Sequence, residues 1–290
     1  MKKFWYYIFA VPFYLFSLLP FPVFYFFCDL FYFITYYIVG YRKEIVYKNL
    51  RNAFPGKKET EIKKIAKGYY HFMIDLFLET LKGLTVSKKQ LNKRITSPDL
   101  SVPLELKKKG KSFLLVLGHY GNWEWGGQWF HLQHIFQQDV LFHPLSSGFF
   151  NWLFYKIRTR FGVHVIPMNS SIKEMMQRKE LLTATAFLAD QTPSNTRDVY
   201  WTTFLNQETP VFVGTEKIAR KLDYPVVYVT INKVKRGFYE VHFKLITDEP
   251  KNTPENFITE MHTRLLEQDI LNHPEIWLWS HRRWKHKRTV

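Results

Sequence analysis

Six short apolar runs constrain the fold of this chain more than any other feature of its sequence. They lie at residues 112–118, 139–142, 163–166, 183–189, 225–231 and 238–246. Stretches with helical periodicity fall between most of these runs, at residues 148–160, 171–180, 211–222 and 254–271. Alternation of strands with helices is typical of an α/β domain. We therefore expect a mixed, largely parallel sheet flanked by helices, with residues 225–231 and 238–246 paired as an antiparallel hairpin through Arg236-Gly237.

The region before the first apolar run has a helical pattern. The segment "YRKEIVYKNLRNAFPG", residues 41–56, predicts a short amphipathic helix that stops at Pro55-Gly56. Between residues 59 and 84, apolar side chains recur at three- and four-residue steps, which indicates a helix packed on a core. We interpret residues 41–96 as a helical lead-in to an α/β core at 97–290.

The first forty residues are too apolar for the surface of a soluble protein. Between residues 4 and 40 the only formal charge is Asp29, and about 20 apolar residues are enough for a helix to span a bilayer. Pro12, Pro20 and Pro22 interrupt the segment, because proline lacks a backbone N–H and clashes with the preceding turn. We predict that residues 1–40 form a hydrophobic membrane anchor in two pieces, either spanning the membrane, forming a hairpin or lying in the interface.

Charges around the anchor indicate its orientation. Basic residues flank it on both sides: Lys2, Lys3, Arg42, Lys43, Lys48 and Arg51. The positive-inside rule then places the body of the protein in the cytoplasm. No small-residue cleavage site follows the apolar stretch, which argues against a signal peptide. The single cysteine, Cys28, cannot form an intrachain disulfide, so nothing indicates an oxidising compartment.

The chain is basic, with 41 Lys and Arg against 25 Asp and Glu and a net charge of +16. Such a charge favours anionic partners, whether nucleic acid, acidic lipid or an acidic protein. The lysines are scattered among acidic residues, and an apolar anchor opens the chain, which disfavours a nucleic-acid-binding protein. We expect no nucleic-acid partner.

One apolar run ends in residues that can carry chemistry. In "LLVLGHYGNWEWG", residues 114–126, His119 and Glu124 follow directly after the predicted strand. Functional side chains of α/β sheets gather at these strand ends. An imidazole can accept a proton from a hydroxyl when a nearby acceptor fixes its tautomer, and Gly118 and Gly121 permit the turn that would bring Glu124 close. Asp190-Gln191 closes another run, "TATAFLADQ", in the same way.

No nucleophile accompanies this pair. The chain has no G-x-S-x-G motif, and Cys28 lies in the anchor. The pair would therefore activate a hydroxyl of the substrate without a covalent enzyme intermediate.

Several ordered motifs resemble one known family. "GHYGNWEW" resembles the His-x4-acid motif of the lysophospholipid acyltransferase superfamily, and the wider pattern resembles its lipid A biosynthesis (late) acyltransferase branch. The likeness covers most of the chain, from the anchor and residues 41–56 to "HPLSSGFFNWLFYKIRTRFGVHVIP", "FLADQTP", "WTTFLNQETPVFVGTEKIARK" and "HPEIWLWSHRRWK". The last string is the most specific of these. The resemblance implies a glycerolipid-acyltransferase-like fold.

The resemblance also implies an activity and partners. It implies transfer of a fatty acyl chain from acyl carrier protein to a hydroxyl of a lipid A precursor, at the cytoplasmic face of the bacterial inner membrane. His119 would be the general base and Glu124 its orienting partner. Residues expected to contact substrate are Arg158, Arg160, Asp190, Gln191, Arg282 and Arg283. The basic terminus "HRRWKHKR" would grip an acidic carrier protein or anionic headgroups. No cofactor is expected beyond the acyl thioester as co-substrate, and no metal.

Two alternatives remain at the level of sequence. Where the family usually carries Arg-Pro and a following Asn, residues 143–147 read His-Pro-Leu-Ser-Ser. The acceptor could therefore be another amphiphile, such as an amino-acid lipid, a lyso-phospholipid, a glycolipid or a pigment precursor. A metal-dependent hydrolase would use His119, Glu124 and some of His131, His134, His143 and His164, but the compact His-Glu-x-x-His spacing is missing.

Overall fold

The computed structural model describes residues 2–288, with side chains described from residue 4 onward. Its α-helices are α1 (Lys2–Leu18), α2 (Phe21–Phe33), α3 (Lys43–Ala53), α4 (Glu59–Lys82), α5 (Lys88–Arg94), α6 (Ser101–Lys108), α7 (Trp123–Leu132), α8 (Gly148–Thr159), α9 (Ser171–Gln177), α10 (Gly214–Leu222) and α11 (Phe257–Asn272). Its strands are β1 (Ile95–Thr96), β2 (Phe113–Leu117), β3 (Gln137–Phe142), β4 (His164–Pro167), β5 (Thr183–Leu188), β6 (Val199–Phe204), β7 (Gln207–Phe212), β8 (Val226–Lys235) and β9 (Phe238–Thr247).

Seven strands form one mixed sheet in the order β1-β9-β8-β2-β5-β3-β4. Neighbouring strands run parallel except β8 and β9, which are antiparallel. Helices pack on the sheet, with α7 against β1 and β3 and α11 against β2, β8 and β9. The central strand β2 has Phe113, Leu114, Leu115 and Val116 all buried, as expected when both faces of a parallel sheet are covered. The predicted fold class is confirmed.

The part of the chain that the structure describes contains a β-hairpin that was predicted and another that was not. Strands β8 and β9 pair as predicted, and Gly237 in their turn has a left-handed φ of 72°. A second hairpin, β6 and β7, is an additional two-stranded sheet that the sequence pattern did not reveal. Its turn consists of Leu205 and Asn206, both with positive φ. The predicted helix at 211–222 was wrong at its start, because Val211 pairs with Tyr200 in this hairpin and α10 begins only at Gly214.

The apolar N-terminus forms α1 and α2, followed by a π-helical turn at Ile34–Val39. The continuous helical segment Phe21–Val39 is long and apolar enough to cross a membrane, with 17% of its most apolar window buried, whereas Phe4–Leu18 is shorter. Helix α1 packs on α4 and α8, and α2 packs on α4. The outer surfaces of both helices expose large apolar side chains, among them Phe4, Phe9, Leu15, Phe26, Phe33 and Ile38. An apolar surface of this kind marks a site of contact with a membrane or another protein.

Candidate active site

The strand register places His119 beside Asp190. Strands β2 and β5 pair in parallel with Leu117 opposite Leu188. His119 lies two residues after Leu117, and Asp190 lies two residues after Leu188. His119 Nδ1 lies 2.6 Å from Asp190 Oδ1, and the backbone N–H of His119 donates to Oδ2 at 2.8 Å. The two polar strand ends identified in the sequence therefore form one hydrogen-bonded pair.

Asp190 is held in its ionised form. Burial raises the pKa of its carboxyl, but the charge of His119 and the hydrogen bonds from His119 and Trp277 outweigh burial and lower the pKa to about 2. Trp277 Nε1 donates to Oδ2 at 2.8 Å. Because an ionised carboxylate only accepts hydrogen bonds, the proton of a neutral His119 ring must be on Nδ1. Nε2 is then the basic nitrogen, and the Gln191 side-chain amide lies 3.3 Å from it.

Glu124 has a different partner from the one predicted. Arg158 donates to it through two parallel bonds, Nε to Oε2 at 3.0 Å and Nη2 to Oε1 at 2.5 Å. Burial raises the pKa of the Glu124 carboxyl, but the Arg158 guanidinium, and after it His119, more than offset burial and hold the pKa below its ordinary value. The expectation that Glu124 orients His119 was wrong, because Asp190 already occupies Nδ1. The structure instead brings Glu124 and Arg158 together as a buried bidentate pair near the imidazole.

The turn after His119 depends on Gly121. This residue has a left-handed φ of 64°, and a Cβ atom there would lie 1.9 Å from the carbonyl oxygen of Ile231. Asn122 follows as the N-cap of α7, since its Oδ1 accepts the backbone N–H of Trp125 at 2.9 Å. The helix that carries Glu124 therefore begins directly after the turn that places His119.

A buried glutamate that the sequence did not reveal supports this N-cap. Glu79 on α4 accepts hydrogen bonds from Asn122 Nδ2 at 2.7 Å, Tyr239 Oη at 2.7 Å and Tyr25 Oη at 2.6 Å. Burial raises the pKa of Glu79 to about 7, although its three donors favour the ionised form. Tyr25 belongs to α2, so a side chain of the apolar N-terminus reaches a residue that contacts the active-site turn.

A cavity of about 510 Å³ opens beside the imidazole. His119, Glu124, Arg158 and Gln191 line it, and most of its wall is apolar. Its other lining residues come from α4, α7, α8 and several strands, and they include Leu117, Phe130, Val140, Val165, Leu188, Val229 and Phe243. An apolar cavity with a few polar groups at one place is the usual form of a site for a long-chain ligand.

The remaining predicted basic residues take different positions. Arg160 donates to the carbonyl oxygens of Gly83 and Val86, at 2.9 and 2.5 Å, and caps the end of α4 outside the cavity wall. Arg282 is exposed, whereas Arg283 is only 2% exposed. Arg160 and Arg283 are absent from the lining of the cavity, and substrate contact by these two residues stays a prediction.

Three buried side chains, His262, His281 and Arg283, interact with the charge of Asp190; the sequence indicated Arg283 as a site residue but not this grouping. Burial lowers the pKa of His262 to about 4, with Asp190 opposing this effect and Arg283 adding to it. Burial likewise lowers the pKa of His281 to about 4 and that of Arg283 to about 10. His281 Nε2 accepts the backbone N–H of Thr192, which requires a neutral ring. The C-terminal string thus packs beside Asp190, which its position in the sequence alone does not indicate.

Stability should depend on pH through His262. The unfolded chain binds a proton on this ring below pH 6.5, while the folded protein excludes it down to about pH 4. The folded protein therefore loses stability relative to the unfolded chain as the pH falls from 6.5 to 4, and we expect this loss to be about 3 kcal/mol. His262→Gln should lose about 3 kcal/mol less than the wild type in the free energy of unfolding across that range, and it should keep the loss that the lowered pKa of His281 causes. The exposed residue His273 offers a control, since His273→Gln should retain the wild-type dependence; equal curves for all three proteins would contradict the assignment.

The imidazoles considered for a metal centre do not converge. Within residues 2–288, no three His, Cys, Asp or Glu side chains come together in a group that could hold a metal ion. Of the four histidines named with that alternative, only His143 joins His119 in the cavity wall.

The candidate site is therefore an imidazole hydrogen-bonded to a carboxylate, in the wall of an apolar cavity at the carboxyl edge of a mixed sheet. The family model described as bacterial lipid A biosynthesis acyltransferase matches residues 1–286, and the chain belongs to this family. The resemblance inferred from the motifs is thereby confirmed, and the protein is an acyltransferase. No curated protein sequence matches the chain.

Proposed function

We propose that the protein transfers a fatty acyl chain from an acyl carrier protein thioester to a hydroxyl of a lipid A precursor. The family supports an acyl donor and a lipid acceptor in general terms. The observation that carries the proposal is the His119–Asp190 pair, whose Nδ1 to Oδ1 distance is 2.6 Å and whose imidazole lies in the wall of an apolar cavity. The cavity offers room for the acyl chain, and the pair offers a base for the hydroxyl.

The reaction is a direct transfer in a ternary complex. His119 Nε2 accepts the proton of the acceptor hydroxyl as its oxygen attacks the thioester carbonyl carbon. The tetrahedral intermediate then breaks its carbon–sulfur bond, and the imidazolium returns the proton to the leaving thiolate. Asp190 stabilises the imidazolium between these two steps through the Nδ1 hydrogen bond. Gln191, which contacts Nε2 in the free enzyme, moves aside for the acceptor hydroxyl.

Arg158 provides positive charge at the same place. Its pairing with Glu124 uses Nε and Nη2 and leaves Nη1 for another acceptor. Because Arg158 lines the cavity, this group donates to the developing oxyanion or to a phosphate of the acceptor. Glu124 has the role of holding the guanidinium in place, which a bidentate pair does with defined geometry.

The proposed location is the cytoplasmic face of the bacterial inner membrane. The exposed apolar surface of α1 and α2 supports association with a bilayer. The basic residues that flank residues 4–40 support the cytoplasmic orientation. A net charge of +16 and the exposed Arg282 favour an acidic carrier protein as donor and anionic headgroups as surroundings.

The experiment is transfer by the full-length protein in detergent, followed by mass spectrometry of the lipids. We expect a lipid A precursor incubated with acyl carrier protein thioester to gain the mass of one acyl chain. Parallel reactions should offer acyl-coenzyme A as donor, and a lyso-phospholipid or an amino-acid lipid as acceptor. Gain of mass only on one of those other amphiphiles would assign the acceptor differently, and absence of transfer from every thioester would overturn the proposal.

A further inference from the structure

Two glutamine side chains are buried in the cavity wall with hydrogen-bonding capacity unused. Gln128 on α7 is 2% exposed, and neither its amide nitrogen nor its amide oxygen has a partner within the described residues. Gln138 on β3 is 0% exposed; its Nε2 donates to the carbonyl of Asp139 at 3.0 Å, but its Oε1 has no partner there. Both residues line the cavity. Buried polar atoms in folded proteins are nearly always hydrogen-bonded, so these three atoms indicate a missing polar ligand.

Gln128 lies on the same helix as Glu124, which pairs with Arg158 in the candidate active site. Gln128 follows Glu124 by four residues on α7, so the two side chains share one helix face about 6 Å apart along its axis. The amide therefore lies one helical turn beyond the Glu124–Arg158 pair, within the body of the cavity. The rest of the cavity wall is mainly apolar and includes the rings of Phe130 and Phe243, which pack on each other.

A plain hydrocarbon chain would leave these amides without partners. Methylene groups neither donate nor accept hydrogen bonds, and a chain that fills the cavity would keep water away from the amide atoms. A hydroxyl group, in contrast, both donates and accepts. It can accept from the Gln128 amide nitrogen while it donates to an amide oxygen of Gln128 or Gln138.

We propose that Gln128 and Gln138 form a binding site for a hydroxyl group on the acyl chain of the donor, so that the enzyme selects hydroxylated acyl thioesters. This inference rests on the proposed function, because it assigns the cavity to the acyl donor. It adds a chemical class of donor and two residues that determine specificity. A site that hydrogen-bonds a substrate hydroxyl discriminates against the analogue without it, because the buried partners are then unsatisfied.

The test compares saturated acyl carrier protein thioesters of one chain length, with the hydroxyl absent or moved stepwise along the chain. We expect at least one hydroxylated donor to exceed the plain donor about tenfold in kcat/KM, the ratio given by one or two net hydrogen bonds. Gln128→Met removes both amide atoms at similar volume and should abolish this preference, bringing kcat/KM for the hydroxylated and the plain donor to the same value. Gln138→Met should weaken the preference. Gln268→Met, the same change at an exposed site on α11, should keep it.

A second measurement separates this inference from the proposed function. Free fatty acids with and without the hydroxyl should raise the melting temperature of the wild-type protein to different extents, and Gln128→Met should remove that difference. If the plain donor is transferred as well as every hydroxylated one and Gln128→Met changes neither, the amides hold a buried water and the inference is overturned while acyl transfer stands. Selective binding without any transfer would overturn the proposed reaction and keep the hydroxyl site.

Discussion

His119→Ala should lower the turnover number for acyl transfer by about 10²–10⁴-fold, the contribution usual for a positioned general base. The reason is that Nε2 of His119 is the basic nitrogen of the pair with Asp190, whose pKa is lowered to about 2. Substrate affinity should change little, because the apolar wall of the cavity remains. The measurement is the single-turnover rate with saturating acyl thioester and acceptor, together with the melting temperature.

His273→Ala provides the matched control, since it removes an exposed imidazole away from the cavity wall. This variant should keep the wild-type rate. A His119→Ala protein that melts like the wild type and retains near-normal turnover would remove the general base from the mechanism. A protein that fails to fold would call for His119→Gln, which keeps a polar side chain of similar reach.

Asp190→Asn should reduce turnover nearly as much as loss of the imidazole. The carboxylate accepts from His119 Nδ1, whereas an amide at this position can donate to Nδ1 and so favour the tautomer with its proton on Nε2. That tautomer cannot accept a proton from the acceptor hydroxyl. We expect the turnover number to fall by about 10²–10⁴-fold with KM nearly unchanged, as for a group that acts on the base and not on binding.

Glu124→Gln distinguishes the two carboxylates. It should impair turnover less than Asp190→Asn, because Glu124 contacts Arg158 and leaves the His119 tautomer unaffected. Its loss should show mainly as a raised KM for the anionic acceptor or as weaker oxyanion stabilisation. A deeper loss of turnover in Glu124→Gln than in Asp190→Asn would return the orienting role to Glu124.

The fold could be predicted because the central strands of the main sheet, β2, β5 and the first half of β8, are apolar and largely buried on both faces. Strand β2, from Phe113 to Leu117, is a continuous apolar run that can be recognised in the sequence, and so can its neighbours β5 and β8. The hairpin of β6 and β7 escaped because it lies outside that sheet and its side chains are mixed. In β6 only Phe204 is buried, and the two-residue turn uses Leu205 and Asn206 without any glycine.

The sequence identified His119 and Asp190 as candidate site residues but not their pairing. His119 and Asp190 were both found at the ends of strands, yet the sequence distance of four intervening residues favoured Glu124 as the partner of His119. The pairing of strands in the sheet gives His119 a different partner. Because β5 lies beside β2 with Leu188 opposite Leu117, His119 and Asp190 come together two residues after these positions. The sequence signal that could have indicated this pair is that His119 and Asp190 each lie two residues after the end of a predicted parallel strand. Trp277 and Glu79 gave no such signal, because their contacts depend on how distant segments pack.

The hydrogen bond between Tyr25 and Glu79 has a practical consequence for anyone who handles this enzyme. A shortened version that starts after residue 40, made to avoid detergent, would withdraw one of the three donors to a carboxylate that also holds Asn122. The apolar N-terminus thus helps to support the turn that carries His119 in the candidate active site. A truncated protein that is more soluble would therefore have a less well-ordered turn after His119. A low rate measured with it would not represent the rate of the full-length enzyme.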